Sequence, residues 1–297
     1  MAVPLSADKM LKALRAEDVK VSERSGWRTH SRNHKGKWGP VHGVMIHHTV
    51  SSGDDASVAL CYNGHSALPG PLCHGVGRND GTVALVSAGR ANHAGLGDDD
   101  VLRAVIAETS LPAPNEANTD GNARFYGLEI INLGDNKDTY TRAQYRAAVL
   151  WAAALCRAHG WSERSVIGHK EWQPGKVDPR GPIEGGGSFS MTQFRADVRD
   201  QLARKPGAPA TTNPTTPPKE KDEMTPAQEA LLKQVAADLG SVKKDVAELK
   251  KNSALAPWTY KNAALVAEAK KTGGKVPDMH GRVQHIEQML EALTKEN

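Results

Sequence analysis

The sequence predicts an α/β fold, a mixed central β-sheet flanked by helices, with a small all-α module at its C-terminal side. Three observations predict it. Short apolar runs bounded by Gly, Pro or Asp punctuate the N-terminal two thirds, as strands buried in a sheet require. Helical periodicity falls between and after those runs, and such interleaving suits a sheet covered by helices. A Pro- and Thr-rich stretch then separates this part, which holds all three cysteines, from an Ala-, Lys- and Glu-rich remainder.

In chain order, MAVPLSADKMLKALRAED alternates polar and apolar residues at helical spacing. It has neither a basic start nor a continuous apolar stretch, so it does not read as a signal peptide. The runs VHGVMIHHT (Val41 to Thr49), TVALV (Thr82 to Val86) and FYGLEIINLG (Phe125 to Gly134) are the strands. Between the first two, Cys61 and Cys73 bracket a Pro-Gly loop. They read either as a disulfide, which would stabilise by roughly 3 kcal/mol through loop closure, or as two reduced thiols. Successive Asp residues at Gly97 to Asp100 read as a helix N-terminus rather than a calcium loop. The clearest helix runs from Thr141, its N-cap, to His159 before Gly160, with Tyr145, Ala148, Val149, Ala152, Leu155 and Cys156 on one face.

The linker covers 203–224, which divides the chain into 1–202, the linker, and a helical module at 225–297. In that module Leu232, Val235, Leu239, Val242, Val246 and Leu249 form a heptad seam, and Val283, Ile286, Leu290 and Leu293 a shorter one. With Leu232 at position a, Asp238 and Asp245 fall at g and Lys243 and Lys250 at e, which suits a parallel homo-oligomer. The seams suit equally well a monomeric helical hairpin.

Composition narrows the function. In 297 residues, 38 Lys+Arg against 34 Asp+Glu leave a net charge of +4, too mild for a nucleic-acid partner. The basic residues among Trp27 to Trp38 read as solvated charges on a packed segment. The longest apolar run, Ala147 to Cys156, is about half a membrane span, so no membrane role is expected. Histidine is the telling residue: ten of 12 lie at or before His169, which is raw material for metal binding or acid-base chemistry.

Two clusters could carry chemistry together. IHHT (Ile46 to Thr49) ends a predicted strand, and GHKEWQPGKVDPRG (Gly168 to Gly181) forms a Gly- and Pro-rich loop with His169 and Asp178 nine residues apart. A hydrolytic zinc site needs three N or O ligands and an open position. One strand His with His169 and Asp178 supplies that number.

With VMIHHT, GTVALV, ANHAG, YGLEIINLG and GHKEWQPGKVDPRG in this order from about Val41 to Gly181, the sequence resembles the zinc-dependent N-acetylmuramoyl-L-alanine amidases of type 2. That family includes phage endolysins, recycling amidases and peptidoglycan recognition proteins. The segment RSGWRTHSRNHKGKWGP is similar to the lead-in of endolysins from phages of high-GC Gram-positive hosts. The resemblance implies a zinc ion (Zn2+) held by His47, His169 and Asp178. It implies Glu129 as the group that orients or deprotonates water, and Lys176 as a transition-state stabiliser. It places His93 beside the substrate groove, where it contacts substrate or supports the ligands from behind, and His74 as a lining residue. Some phage members carry a catalytic Tyr where this chain has Cys73, which leaves Glu129 as the base. The implied function is an endolysin that cleaves the N-acetylmuramic acid to L-alanine amide of peptidoglycan. It would stay in the host cytoplasm until holin lesions release it to the wall. A non-catalytic peptidoglycan receptor and a chromosomal muropeptide-recycling amidase are the competing readings.

Overall fold

The computed structural model describes residues 2–206. Most of the linker and all of 225–297, with both heptad seams, lie outside the described residues. The central sheet has six strands: β1 (Val21–Glu23), β2 (Gly43–His48), β3 (Gly75–Gly77), β4 (Val83–Leu85), β5 (Phe125–Ile130) and β6 (Val166–Gly168). Their order is β1-β4-β3-β5-β2-β6. Only β3 and β4 pair antiparallel, so the sheet is mixed. Five helices cover it: α1 (Ala7–Ala16), α2 (Asp54–Asn63), α3 (Asp99–Ala107), α4 (Arg142–His159) and α5 (Met191–Leu202).

The period of two along each strand sorts the core into two layers. Val44 and Ile46 of β2, and Tyr126, Leu128 and Ile130 of β5, pack with α1, α4 and α5. On the opposite face Met45, Phe125 and Ile167 meet Val101 and Val105 of α3, while Val76 and Ala84 meet Val58 of α2. Both faces of β2 are therefore covered, which is why its six residues form a continuous buried run.

The helix read from Thr141 to His159 is α4. Its cap is reciprocal: Thr141 Oγ1 accepts from Gln144 N at 3.0 Å, and Thr141 N donates to the Gln144 side chain at 2.9 Å. Gly160 ends it in the left-handed region at φ 72°. Ala147, Trp151, Ala153 and Ala154 are buried as well as the expected face, because α1 and α5 close over the side away from the sheet. Thr141 Oγ1 also donates to Asn79 O at 2.7 Å. Thr141→Ala should cost about 1 kcal/mol or slightly more, read as a fall of a few degrees in melting temperature; an unchanged melt would show that the cap is idle.

The acidic turn is a helix start, as read. Asp98, fully buried, accepts from Asp100 N and Val101 N at the beginning of α3. Among the described residues no helix is long and apolar enough to cross a membrane.

Candidate metal centre

Strand alternation decides between the two histidines of IHHT. Ile46 and His48 turn toward α4, where His48 Nδ1 lies 3.3 Å from the Tyr140 hydroxyl. His47 faces the other way, at the C-terminal end of a parallel strand, where open α/β sheets place their sites.

His169 and Asp178 come from the loop after β6, which is held from three sides. Trp172 is fully buried and donates Nε1–H to Ala94 O at 3.1 Å. Glu171 accepts from Gly168 N and forms a bidentate pair with Arg195 of α5 at 2.8 and 2.9 Å. Lys170 N donates to Asp178 O at 2.8 Å. Glu171, Trp172 and Arg195 were not singled out from sequence. A Glu and a Trp directly after the motif His were the available signal, but their partners lie 24 and 78 residues away.

The loop brings His47, His169 and Asp178 together. Their facing atoms form a near-equilateral triangle: His47 Nδ1 to His169 Nδ1 is 3.1 Å, His47 Nδ1 to Asp178 Oδ2 is 3.0 Å, and His169 Nδ1 to Asp178 Oδ2 is 3.1 Å. Donors bound to a tetrahedral zinc at about 2.0–2.1 Å stand about 3.3 Å apart, so the triangle fits such an ion with a small expansion. His47 and His169 are buried, and the Asp178 side chain is 13% exposed. Burial pushes the His47 imidazole down to about 4, with the hydrogen bond to Asp178 pulling the other way. It is therefore neutral at pH 7, as a ligand must be. For Asp178 burial raises the pKa, but its contacts with His169 and His47 outweigh it and hold the carboxyl far below its usual range.

Glu129 is the register partner of His47 across β5 and β2. Its neighbours Leu128 and Ile130 face α4, so Glu129 faces the site. Its Oε2 is buried and meets no hydrogen-bond partner among the described residues. Burial first, then the neighbouring Cys61 and Asp178, pushes the carboxyl well above the usual range, with Lys176 opposing. Lys176 itself is exposed, in the loop between His169 and Asp178, and its charge reaches both His47 and Glu129. Beside these residues, Val50 (70% exposed, φ 50°) and Val177 (44%) leave apolar surface in solvent.

His74 does not line a groove, and of the two roles expected of His93 its contacts are those of a group behind the ligands. His74 is fully buried, accepts from Gly127 N at 2.9 Å and stacks on Trp38. His93 is 8% exposed and both its ring nitrogens are engaged, with His47 Nε2 and with Phe125 O. The ANHAG segment passes beneath the end of the sheet because β5 has a glycine there: a Cβ on Gly127 would lie 2.5 Å from His93 Nδ1. Of the two readings of Cys61 and Cys73, the structure has the reduced one and not the disulfide. Both are buried free thiols packed with Val58, Val76 and Ile131. Backbone bonds already close their loop, Leu72 N to Cys61 O at 2.7 Å and Gly70 N to Asn63 O at 3.0 Å. Burial holds the Cys73 thiol protonated, its pKa well above the usual thiol value.

The family of N-acetylmuramoyl-L-alanine amidases matches residues 37–181. No curated protein matches the sequence. Among solved structures, a selenomethionine derivative of AmpD is 19% identical, with a TM-score of 0.39 over 60% of this chain and 94% of that one. The endolysin N-acetylmuramoyl-L-alanine amidase LysCS from Clostridium intestinale is 16% identical, with a TM-score of 0.36 over 60% and 95%. The Drosophila peptidoglycan recognition protein PGRP-SA is 17% identical, with a TM-score of 0.29 over 50% and 79%. Residues 37–181 are thus a domain of the type 2 N-acetylmuramoyl-L-alanine amidase family, with the His47, His169 and Asp178 cluster inside it.

Proposed function

We propose that the chain is a zinc amidase that hydrolyses the bond between the lactyl group of N-acetylmuramic acid and L-alanine in peptidoglycan, acting as an endolysin. The observation that carries the amidase reading is the triangle of His47, His169 and Asp178 with Glu129 in register on the next strand, its Oε2 buried and without a partner among the described residues. Zinc held by that triangle supplies a lowered water pKa and a polarised carbonyl. Glu129 takes the proton of the attacking water on its carboxylate and passes it to the departing amine nitrogen. The Lys176 ammonium, on the loop between His169 and Asp178, would stabilise the charge that develops on the carbonyl oxygen, typically worth about 10²–10³-fold in rate.

The endolysin role rests on the sequence beyond 202. A Pro/Thr-rich linker and a helical module at 225–297 would hold a catalytic unit near an insoluble wall and raise its local concentration. The module then binds wall or joins copies of the chain, and the protein acts after release from the host cytoplasm.

Dialysis against a chelator should abolish stem-peptide release from purified walls, and one equivalent of zinc should restore it. Full activity in metal-free protein would overturn the zinc reading. Turnover of soluble anhydro-muropeptides far faster than of walls would replace the lytic role with a recycling one.

A further inference from the structure

His93 stands directly behind His47, the second of the two places the resemblance implies for it. A carbonyl oxygen only accepts, so the 3.0 Å contact between His93 Nε2 and Phe125 O places a hydrogen on Nε2. In a neutral ring Nδ1 is then a bare lone pair. That lone pair lies 3.0 Å from His47 Nε2, which must therefore donate. His47 in turn is left with its lone pair on Nδ1, the atom that faces His169 and Asp178. Three groups in line, Phe125 O, His93 and His47, thus assign one tautomer to a ligand ring.

We propose that His93 is a positioning residue, which fixes the tautomer and ring plane of His47 so that its Nδ1 is presented to the metal. The inference rests on the zinc reading above. The surroundings hold His93 for this task. Asn122 Oδ1 accepts from His93 N at 2.8 Å, Ala94 N at 2.8 Å and Gly95 N at 3.2 Å, pinning the turn. The two rings meet edge to face, with centroids 5.2 Å apart and planes at 90°. His169 has no such support: its Nε2 is buried with no hydrogen-bond partner among the described residues. Of the two imidazole ligands, only His47 is oriented from behind, and orienting partners of this kind commonly contribute about 10–100-fold in metal affinity.

The test uses the full chain and three variants. His93→Leu removes the acceptor, His93→Gln displaces it, and His93→Asn returns an amide oxygen near the place of Nδ1. Zinc affinity is read by competition with a chromogenic chelator, and site geometry by the visible spectrum of the cobalt-loaded protein. His93→Leu and His93→Gln should bind zinc about 10–100-fold more weakly, with an altered cobalt spectrum, and His93→Asn should recover most of both. Wild-type affinity and an unchanged spectrum in His93→Leu would overturn the proposal. Nitrogen-15 NMR of the metal-free wild-type protein needs no variant and no bound ion. Nε2–H tautomers at both His47 and His93 support the assignment, and an Nδ1–H tautomer at either overturns it. If wild-type protein binds no zinc while both tautomers are as assigned, the zinc reading has failed and the proposal with it.

Discussion

Glu129→Gln should lower kcat/KM for stem-peptide release by about 10²–10⁴-fold, the usual contribution of a positioned base, while the protein still binds one zinc and melts at a higher temperature when metal-free. The two effects share one cause. Glu129 faces the three ligand atoms from the neighbouring strand, with Oε2 buried and unpartnered among the described residues, and its carboxyl is pushed well above the ordinary range by burial. A group whose pKa is raised on folding stabilises the protein below its unfolded value, and that contribution is lost as pH rises through the folded value. At neutral pH a buried Glu129 carboxylate is therefore a cost to folding, which Gln removes. The melting advantage of Glu129→Gln should vanish near pH 4, where both forms are uncharged. In the wild type the rate should fall on the acid side as the base is protonated, because the base must be ionised to act; Gln should erase that limb. A Glu129→Gln protein with near wild-type turnover, or one that melts lower at pH 7, would remove Glu129 from this role.

The parts of this site legible in sequence are those where local pattern and chemistry coincide. The apolar run into IHHT announced a buried strand, and the step of two along it separates His47 from His48 once Ile46 is placed against α4. Asp178 and His169 share a short loop, and their spacing was visible. What was not legible depends on contacts between distant segments. Which of its two implied roles His93 takes is not legible, because nothing local to ANHAG reports that Gly127, 34 positions on, leaves room beneath the sheet for an imidazole. Spacing alone does not decide between a staple and two reduced thiols at Cys61 and Cys73, because it cannot show that backbone hydrogen bonds already close the loop. Strands β1, β3 and β6 are three residues each, too short to display a period. Their place in the sheet comes from pairing with β4, β5 and β2.

The largest stability effect should come from the face of the sheet opposite the candidate metal centre. Arg157→Ala is expected to destabilise the domain by about 3–5 kcal/mol, a fall of roughly 6–20 °C for a unit of this size, and Glu17→Ala by less. Glu17, at the end of α1, is 1% exposed and accepts from Arg157 Nε at 2.8 Å, Arg157 Nη2 at 3.2 Å and Gln201 Nε2 at 2.7 Å. Arg157 of α4 also donates to the carbonyls of Leu202, Gln201 and Arg204 at 3.1–3.2 Å, so one guanidinium joins the C-terminal ends of α1, α4 and α5. The asymmetry follows from what each truncation leaves behind. Without Arg157, a carboxylate is stranded in the interior with a single amide for company. Without Glu17, the guanidinium keeps three carbonyls and, at 29% side-chain exposure, its access to water. Replacing both by Met should recover most of the loss, because an apolar pair of similar volume strands no charge. Turnover per folded molecule should stay at the wild-type level in all three variants, since α1, α4 and α5 lie across the sheet from His47. Equal melting temperatures for the two single variants, or a double variant no better than Arg157→Ala, would show that the network contributes packing rather than charge compensation.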